Sequence, residues 1–352
     1  MASNLSVATR TFVDKTWRSQ ISYGMPLFTR LMERGRVFPG GTQYEQVDEV
    51  ADLEGLVQAH GPNDALVGGS KDVLDKPKWS RAFLQLPIEK TIDEEIMNAP
   101  AGDAQLVKIA KNYSKLALRS MQQKMNKYFY GNAGDAEIDS THTLPQGLCS
   151  ALKEDNTYGT LSRSGSTTRE WWQSADYAAW DTAATMNKDN LWKWLDFVRE
   201  FMDGPEDMLI IMGSTLFRRL KGQMEAFHGY EPSNNTAKQG FESMTIDGVE
   251  IVSDWRLERL KETDLKGRDG STNIGLDGVT SSVGSKFVFV LNLNTMWISY
   301  TPGSSGSPFD LSEFFLQDKI IGGTEKWLSR LKWKGNLIVE QPNANLLRSN
   351  VT

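Results

Sequence analysis

The chain has 352 residues, 39% of them hydrophobic and 24% charged, with 15 Phe and 11 Trp, a content that excludes a disordered chain and allows a substantial core. Its formal net charge of -6 argues against a protein that wraps nucleic acid through a basic surface. The single cysteine, Cys149, excludes an intramolecular disulfide and suits a reducing compartment.

Residues 1 to 45 read as a mildly basic arm, with Arg10, Lys15, Arg18, Arg30, Arg34 and Arg36 against Asp14, Glu33 and Glu45. Charged residues interrupt its apolar groups, so it lacks the apolar stretch of a signal peptide. Phe12, Trp17, Leu27, Phe28 and Leu31 are nevertheless too many for a solvated tail, and they require a surface to bury against. From Thr42 to Val50 and from Trp79 to Ile92 the residues alternate in the manner of strands. Turn formers lie between them, at Gly61 to Asp64, Gly68 to Ser70 and Lys76 to Lys78. The pattern predicts a long two-stranded excursion, which is marginal alone in water and needs neighbouring chains to pack against.

Residues 101 to 131 give the clearest helix. Leu106, Ile109, Tyr113, Leu116, Ala117, Met121, Met125 and Phe129 recur at spacings of three and four, between Pro100 and Gly131. Such a helix spans roughly 45 Å at 1.5 Å per residue. Its polar face carries Lys108, Lys111, Lys115, Arg119, Lys124 and Lys127: either a solvated face or one that meets acidic neighbours or nucleic acid.

The pattern then turns α/β. A helix is predicted over Asn190 to Met202, a strand over Met208 to Met212 and a helix over Thr215 to Phe227. Strands follow at Met244 to Ser253 and Lys286 to Tyr300, divided by a turn at Asp247-Gly248 and by the polar loop Gly267 to Ser285. Lys326 to Val339 reads as a long strand pair, followed at Pro342 by a terminal tail. Nowhere is there a run of about 18 apolar residues able to cross a membrane.

Chemistry is sparse along this chain. His60, His142 and His228 stand singly, without metal-ligand spacing. Gly68-Gly69-Ser70-Lys71 lacks the ending of a phosphate loop, and Ser304 to Ser307 lacks a nucleophile elbow. Asp93 to Glu95 suit a helix start, and Asp269 with Asp277 do not fit a calcium loop. No catalytic, cofactor-binding or metal site is expected, and the chain reads as non-enzymatic.

The order of parts, arm, hairpin, long helix, α/β body and returning strands, is joined by short stretches: Gly147-Leu148, then Thr157 to Ser164 (Thr-Tyr-Gly-Thr-Leu-Ser-Arg-Ser), then Trp171-Trp172, with Met208 to Leu220 and Gly335-Asn336-Leu337 further on. Together they resemble, over most of the chain, the major capsid proteins of tailed bacteriophages with the Hong Kong 97-type fold. In those relatives a Gly-Gly-x-x-Arg progression is common, and Thr160 stands at the second Gly.

The resemblance implies an α+β fold with an N-terminal arm (1–45), an extended E-loop hairpin (46–90), a P-domain with a spine helix (91–136), an A-domain (137–324), and returning P-domain strands with a C-terminal tail (325–352). It implies self-assembly as pentamers and hexamers into an icosahedral head around double-stranded DNA, contacted non-specifically. Assembly would take place in the bacterial host cytoplasm without a membrane, with scaffold, portal and cement proteins as partners. Contacts between subunits are expected at Trp17, Arg18, Arg34, Arg36, Lys71, Lys76, Lys78 and Trp79. Some relatives crosslink an E-loop Lys to an Asn; Lys71, Lys76, Lys78, Asn336 and Asn343 have no one-to-one match. The competing readings are an encapsulin-like nanocompartment shell and a soluble α/β enzyme.

Overall fold

The structure is a computed structural model that describes residues 24–38, 40–41, 43–51, 53–60, 69, 71–91, 109–131, 144–152, 157–163, 170–174, 185–202, 207–225, 243–260, 284–302, 309–311, 315–317, 326–349 and 351–352. Several expectations lie outside these residues: Trp17, Arg18, the turn at Gly61 to Asp64, Asp93 to Glu95, the helix start at 101–108, His142, His228, the loop at 267–283 and Ser304 to Ser307. The chain divides into one unit of residues 1–23, 83–125 and 301–334 and a second of residues 24–82, 126–300 and 335–352.

In chain order the elements begin with α1 (Pro26–Glu33), β1 (Arg36–Val37), β2 (Gln43–Glu45), β3 (Asp48–Glu49), β4 (Leu74–Asp75), β5 (Lys78–Ser80) and β6 (Ala82–Thr91). The long helix α2 (Ile109–Tyr130) is next, then α3 (Leu148–Leu152), β7 (Thr157–Tyr158), β8 (Leu161–Ser162), α4 (Lys188–Glu200), β9 (Met208–Met212) and α5 (Ser214–Glu225). After them come β10 (Ser243–Ile246), β11 (Val249–Ser253), α6 (Trp255–Glu258), β12 (Val288–Asn292), β13 (Met296–Tyr300), β14 (Phe309–Leu311), β15 (Phe315–Gln317), β16 (Lys326–Val339) and β17 (Leu346–Arg348).

The second unit is built on a five-stranded sheet of order β10-β11-β9-β12-β17. Its central strand β9 is buried at every residue, which is why Met-Leu-Ile-Ile-Met is an unbroken apolar run. β11 runs parallel to β9 and β12 antiparallel, and Asp247-Gly248 joins β10 to β11 as expected. Helix α4 starts at Lys188 because the Asn187 side chain accepts a hydrogen bond from Asn190 N at 2.7 Å. Leu191, Trp194, Leu195 and Val198 of α4 join Phe217, Leu220 and Met224 of α5 against Ile210, Met212, Ile251 and Val290, the 3.6-residue stripe meeting the two-residue period of the sheet. At the end of α2, the Tyr130 ring packs 5.5 Å from that of Phe289. Its hydroxyl donates to the buried Asp254 carboxylate at 2.6 Å.

Several boundaries differ from the sequence reading. The run from Trp79 to Ile92 is two strands, with Arg81 between Lys78–Ser80 and Ala82–Thr91. Lys286 to Tyr300 breaks at Leu293–Thr295, where the Asn292 side chain accepts from Asn294 N at 3.0 Å. Lys326 to Val339 is a single 14-residue strand, paired with β13 through Gly335 to Val339 and with β14 and β15 through Lys326 to Trp333. The segment after Pro342 is no loose tail: Leu346 to Arg348 are buried and pair with Val288 to Val290.

In the first unit, β6, β14 and β15 all pair with β16. There Ser329, Leu331 and Trp333 are buried while Arg330 and Lys334 are exposed, the alternation of a sheet with one wet face.

Candidate functional site

The excursion forms in part: two short ladders, β2 with β5 and β3 with β4, make a ribbon within residues 43–80, whereas β6, the rest of the expected second strand, pairs with β16. Tyr44 faces Trp79 and Glu45 faces Lys78 across β2 and β5. Further out Asp48 faces Asp75 and Glu49 faces Leu74 across β3 and β4, and Val50 N donates to Val73 O at 2.8 Å. Along this ribbon Val47, Leu53, Leu56, Val57 and Leu74 are exposed, Val57 at 81%. A narrow ribbon that presents this many large apolar side chains to water is costly alone, and the same row is suited to covering another surface.

The root sits in an aromatic seat. Trp79 is 1% exposed, with the rings of Tyr44, Tyr158 and Trp172 centred 5.8, 6.0 and 6.1 Å away. Lys78 N donates to Gly159 O at 2.7 Å, and Trp171 N to Val50 O at 3.0 Å. Gly159 has φ +57°, and a Cβ there would lie 2.9 Å from the Pro77 Cβ and 3.2 Å from the Trp172 ring. Glycine is therefore demanded both by conformation and by space. Trp172 Nε1 donates to Tyr158 O at 3.1 Å, and the Tyr158 hydroxyl accepts from Val339 N at 2.8 Å.

Beneath the seat lies the buried Arg163. Its guanidinium donates to Ser150 O at 2.7 Å, Ala151 O at 2.6 Å and Trp172 O at 3.4 Å, tying α3 to the Trp171-Trp172 segment. Gly147, just before α3, allows a second close approach, since a Cβ there would stand 1.9 Å from Gly131 O. Asn336 closes the other side: its amide nitrogen donates to Ser80 O at 2.9 Å, and its amide oxygen accepts from Gln146 N at 2.8 Å. The stretches that carried the family resemblance are thus the ones that build the seat. Tyr158, Gly159 and Arg163 were not among the expected contact residues, and their signal is the Tyr-Gly-Thr-Leu-Ser-Arg run itself; Asn336, expected as a crosslink candidate, is a packing residue of the seat.

The described residues among those expected at contacts between subunits fall into two groups. Trp79 lies inside its own chain. Arg34 ion-pairs with Asp207 and donates to Leu293 O at 3.0 Å and Asn294 Oδ1 at 3.1 Å. The Arg36 guanidinium lies 4.7 Å above the Trp297 ring and 3.5 Å from Glu340. All three have partners within their own chain, while Arg36 stays exposed. Lys78 pairs with Glu45 at 3.0 Å, half-exposed, Lys71 is half-buried and Lys76 is exposed. Among the crosslink candidates, Asn336 is buried, with its amide engaged by Ser80 and Gln146.

One carboxyl on the ribbon, beyond the root, is perturbed. Asp48 rises from 3.8 to about 6, because of burial first and then the nearby Glu340, against a hydrogen bond from Gln46. Directly across the ladder stands Asp75, so two carboxylates share one rung. Among the described residues no group of three or more His, Cys, Asp or Glu is placed to hold a metal ion, and no helix is long and apolar enough to cross a membrane.

No family model and no curated protein matches the chain. Solved structures do. The cyanophage A-1(L) capsid is similar at TM-score 0.62 and 12% identity, over 98% of this chain and 97% of that one. The capsid of the native GTA particle is similar at TM-score 0.55 and 11% identity, over 100% and 98%. The SrpI encapsulin of Synechococcus elongatus PCC 7942 is similar at TM-score 0.55 and 9% identity, over 99% and 95%. The chain therefore shares the mixed α+β fold of these solved structures.

Proposed function

We propose that this chain is a self-assembling shell subunit, and specifically the major capsid protein of a tailed bacteriophage. The observation that carries the reading is the ribbon: a pinned, aromatic-seated root that bears the exposed row Val47, Leu53, Leu56, Val57 and Leu74. Such a device is stable when a neighbouring copy covers it. A fold shared along nearly the full length with the cyanophage A-1(L) capsid and the GTA particle capsid supports the same reading.

In this reading residues 1–45 are the arm, 46–90 the E-loop, 91–136 the P-domain with its spine, 137–324 the A-domain and 325–352 the returning strands. Pentamers and hexamers enclose double-stranded DNA, assembled in a bacterial cytoplasm with scaffold, portal and cement proteins. An acidic chain suits a container, because it coats DNA without gripping it.

The likeness to the encapsulin favours a second reading, a protein-loaded nanocompartment built from the same contacts. Electron microscopy of the purified chain tests the shell: closed icosahedral particles are expected, and a monomer at all concentrations would refute it. The contents of particles from the native source separate the two readings. Nuclease-protected double-stranded DNA marks a phage head, and a protein cargo without DNA marks a nanocompartment.

A further inference from the structure

In the second unit, only two large apolar side chains of the sheet and its covering helices are exposed among the described residues: Phe197 at 39% on α4 and Trp255 at 40% on α6. Their surroundings have opposite charge. Trp255 is flanked by the Arg256 and Arg259 guanidinium groups, 5.0 and 4.8 Å from its ring centre. It lines a cleft of about 770 Å³ together with Arg219, Arg259, Lys286 and Glu258. The Glu258 carboxylate is occupied by the Ser214 and Thr215 hydroxyls, whereas Arg219 and Lys286 make no ion pair among the described residues. Phe197 sits between the exposed Asp196 and Glu200. Of the two bases beside them, Arg199 is turned to Asp247 at 3.4 Å and the exposed Lys193 lies one turn before Phe197, which leaves the face with one more acid than base.

The two patches do not overlap. Arg199 and its neighbours reach the Asp247 turn, which precedes β11, while Trp255 comes after β11 at its other end. That strand alone spans about 13 Å at 3.3 Å per residue. One copy can therefore offer both patches to two different neighbours.

We infer that the basic Trp255 cleft of one copy receives the acidic Phe197 face of a second copy, a head-to-tail contact that repeats around a ring. This inference rests on the shell reading and specifies which surfaces form the ring. Aromatic and arginine side chains in a partly desolvated pocket are the usual anchors of protein contacts. Opposite charge sets their orientation and rejects like-with-like pairing. Unlike patches that meet head-to-tail generate rings when the rotation closes. A nucleic-acid ligand is the poorer fit, since Glu258 stands in the cleft with Leu216 and Val351, and the acidic patch would then have no partner.

The test reverses each face in the full chain and measures assembly by sedimentation and electron microscopy at physiological ionic strength. Arg219→Glu with Arg259→Glu, and separately Asp196→Lys with Glu200→Lys, are each expected to lower the assembled fraction about tenfold. The four changes together should restore it. Thermal melts close to wild type establish that each variant is folded, and Arg259→Lys should assemble nearly as wild type. A folded single-face variant that assembles like wild type overturns the inference, as does a folded quadruple variant that stays unassembled. If the basic-face variant assembles normally but loses binding to a labelled DNA duplex, the cleft is a nucleic-acid surface and the contact is refuted. A wild-type chain that never assembles refutes the shell reading itself, an outcome distinct from these.

Discussion

Thr160 succeeds Gly159 in the tight turn between β7 and β8 and carries φ +67°, a left-handed conformation that costs a β-branched residue roughly 1–2 kcal/mol. Thr160→Gly is accordingly expected to stabilise the fold by about 1 kcal/mol, after the extra chain entropy of glycine is deducted, seen as a raised melting temperature. Gly159→Ala should do the reverse, because the added methyl meets Pro77 and Trp172. Trp79→Ala empties the aromatic seat, and a loss of about 3–5 kcal/mol is expected in denaturant titration. Arg163→Met would leave three buried carbonyls without their donor, at a cost of about 3 kcal/mol. For Asp48, whose folded-state value of about 6 lies above the ordinary 3.8, the folded form binds more protons than the unfolded form between those values. The stabilising contribution is full below the lower value and is lost as pH rises through the upper one. Asp48→Asn should therefore flatten the fall in melting temperature over that window and raise it at neutral pH.

At the scale of elements, the ribbon separates into a root that belongs to the body and a tip that faces outward. Removing residues 53–72 and closing the gap with a short glycine linker spares Val50, Pro77, Lys78 and Trp79, all of which contact the seat. The shortened chain should melt as a folded body yet form no particles, and normal particles would refute the role given to the tip. β17 is a structural strand despite its terminal position. Deleting residues 346–352 takes away buried Leu346, Leu347 and Val351 and the ladder to β12, and loss of cooperative unfolding is expected. Periodicity located β9, α4 and α5, because each is wholly or half buried and its apolar spacing records that. It did not locate the break at Leu293–Thr295, which depends on one Asn292 side chain. Nor did it find β17, whose only reason to be a strand is a partner far back along the chain.

At the scale of the whole molecule, the long helix, the apolar β9 run and the turn chemistry were legible in the sequence, since they depend on neighbours three, four or two positions away. The order of parts and several short stretches together carried the resemblance to the Hong Kong 97-type fold. The excursion was legible as two alternating runs with turn formers between them. The tertiary structure decided which side of each residue is used. Trp79, Arg34 and Arg36 stood out in the sequence as large or charged groups in arm and hairpin, where a contact with another copy was the natural expectation. The fold turns all three onto their own body, because Tyr158, Asp207 and Glu340, from distant parts of the chain, converge there. Arg36 nevertheless stays at the surface, together with Val57 and its apolar neighbours and, in the proposed ring contact, Phe197 and Trp255. Local chemistry determined the elements of this protein; only the long-range packing determined which of its aromatic and basic residues remain at the surface.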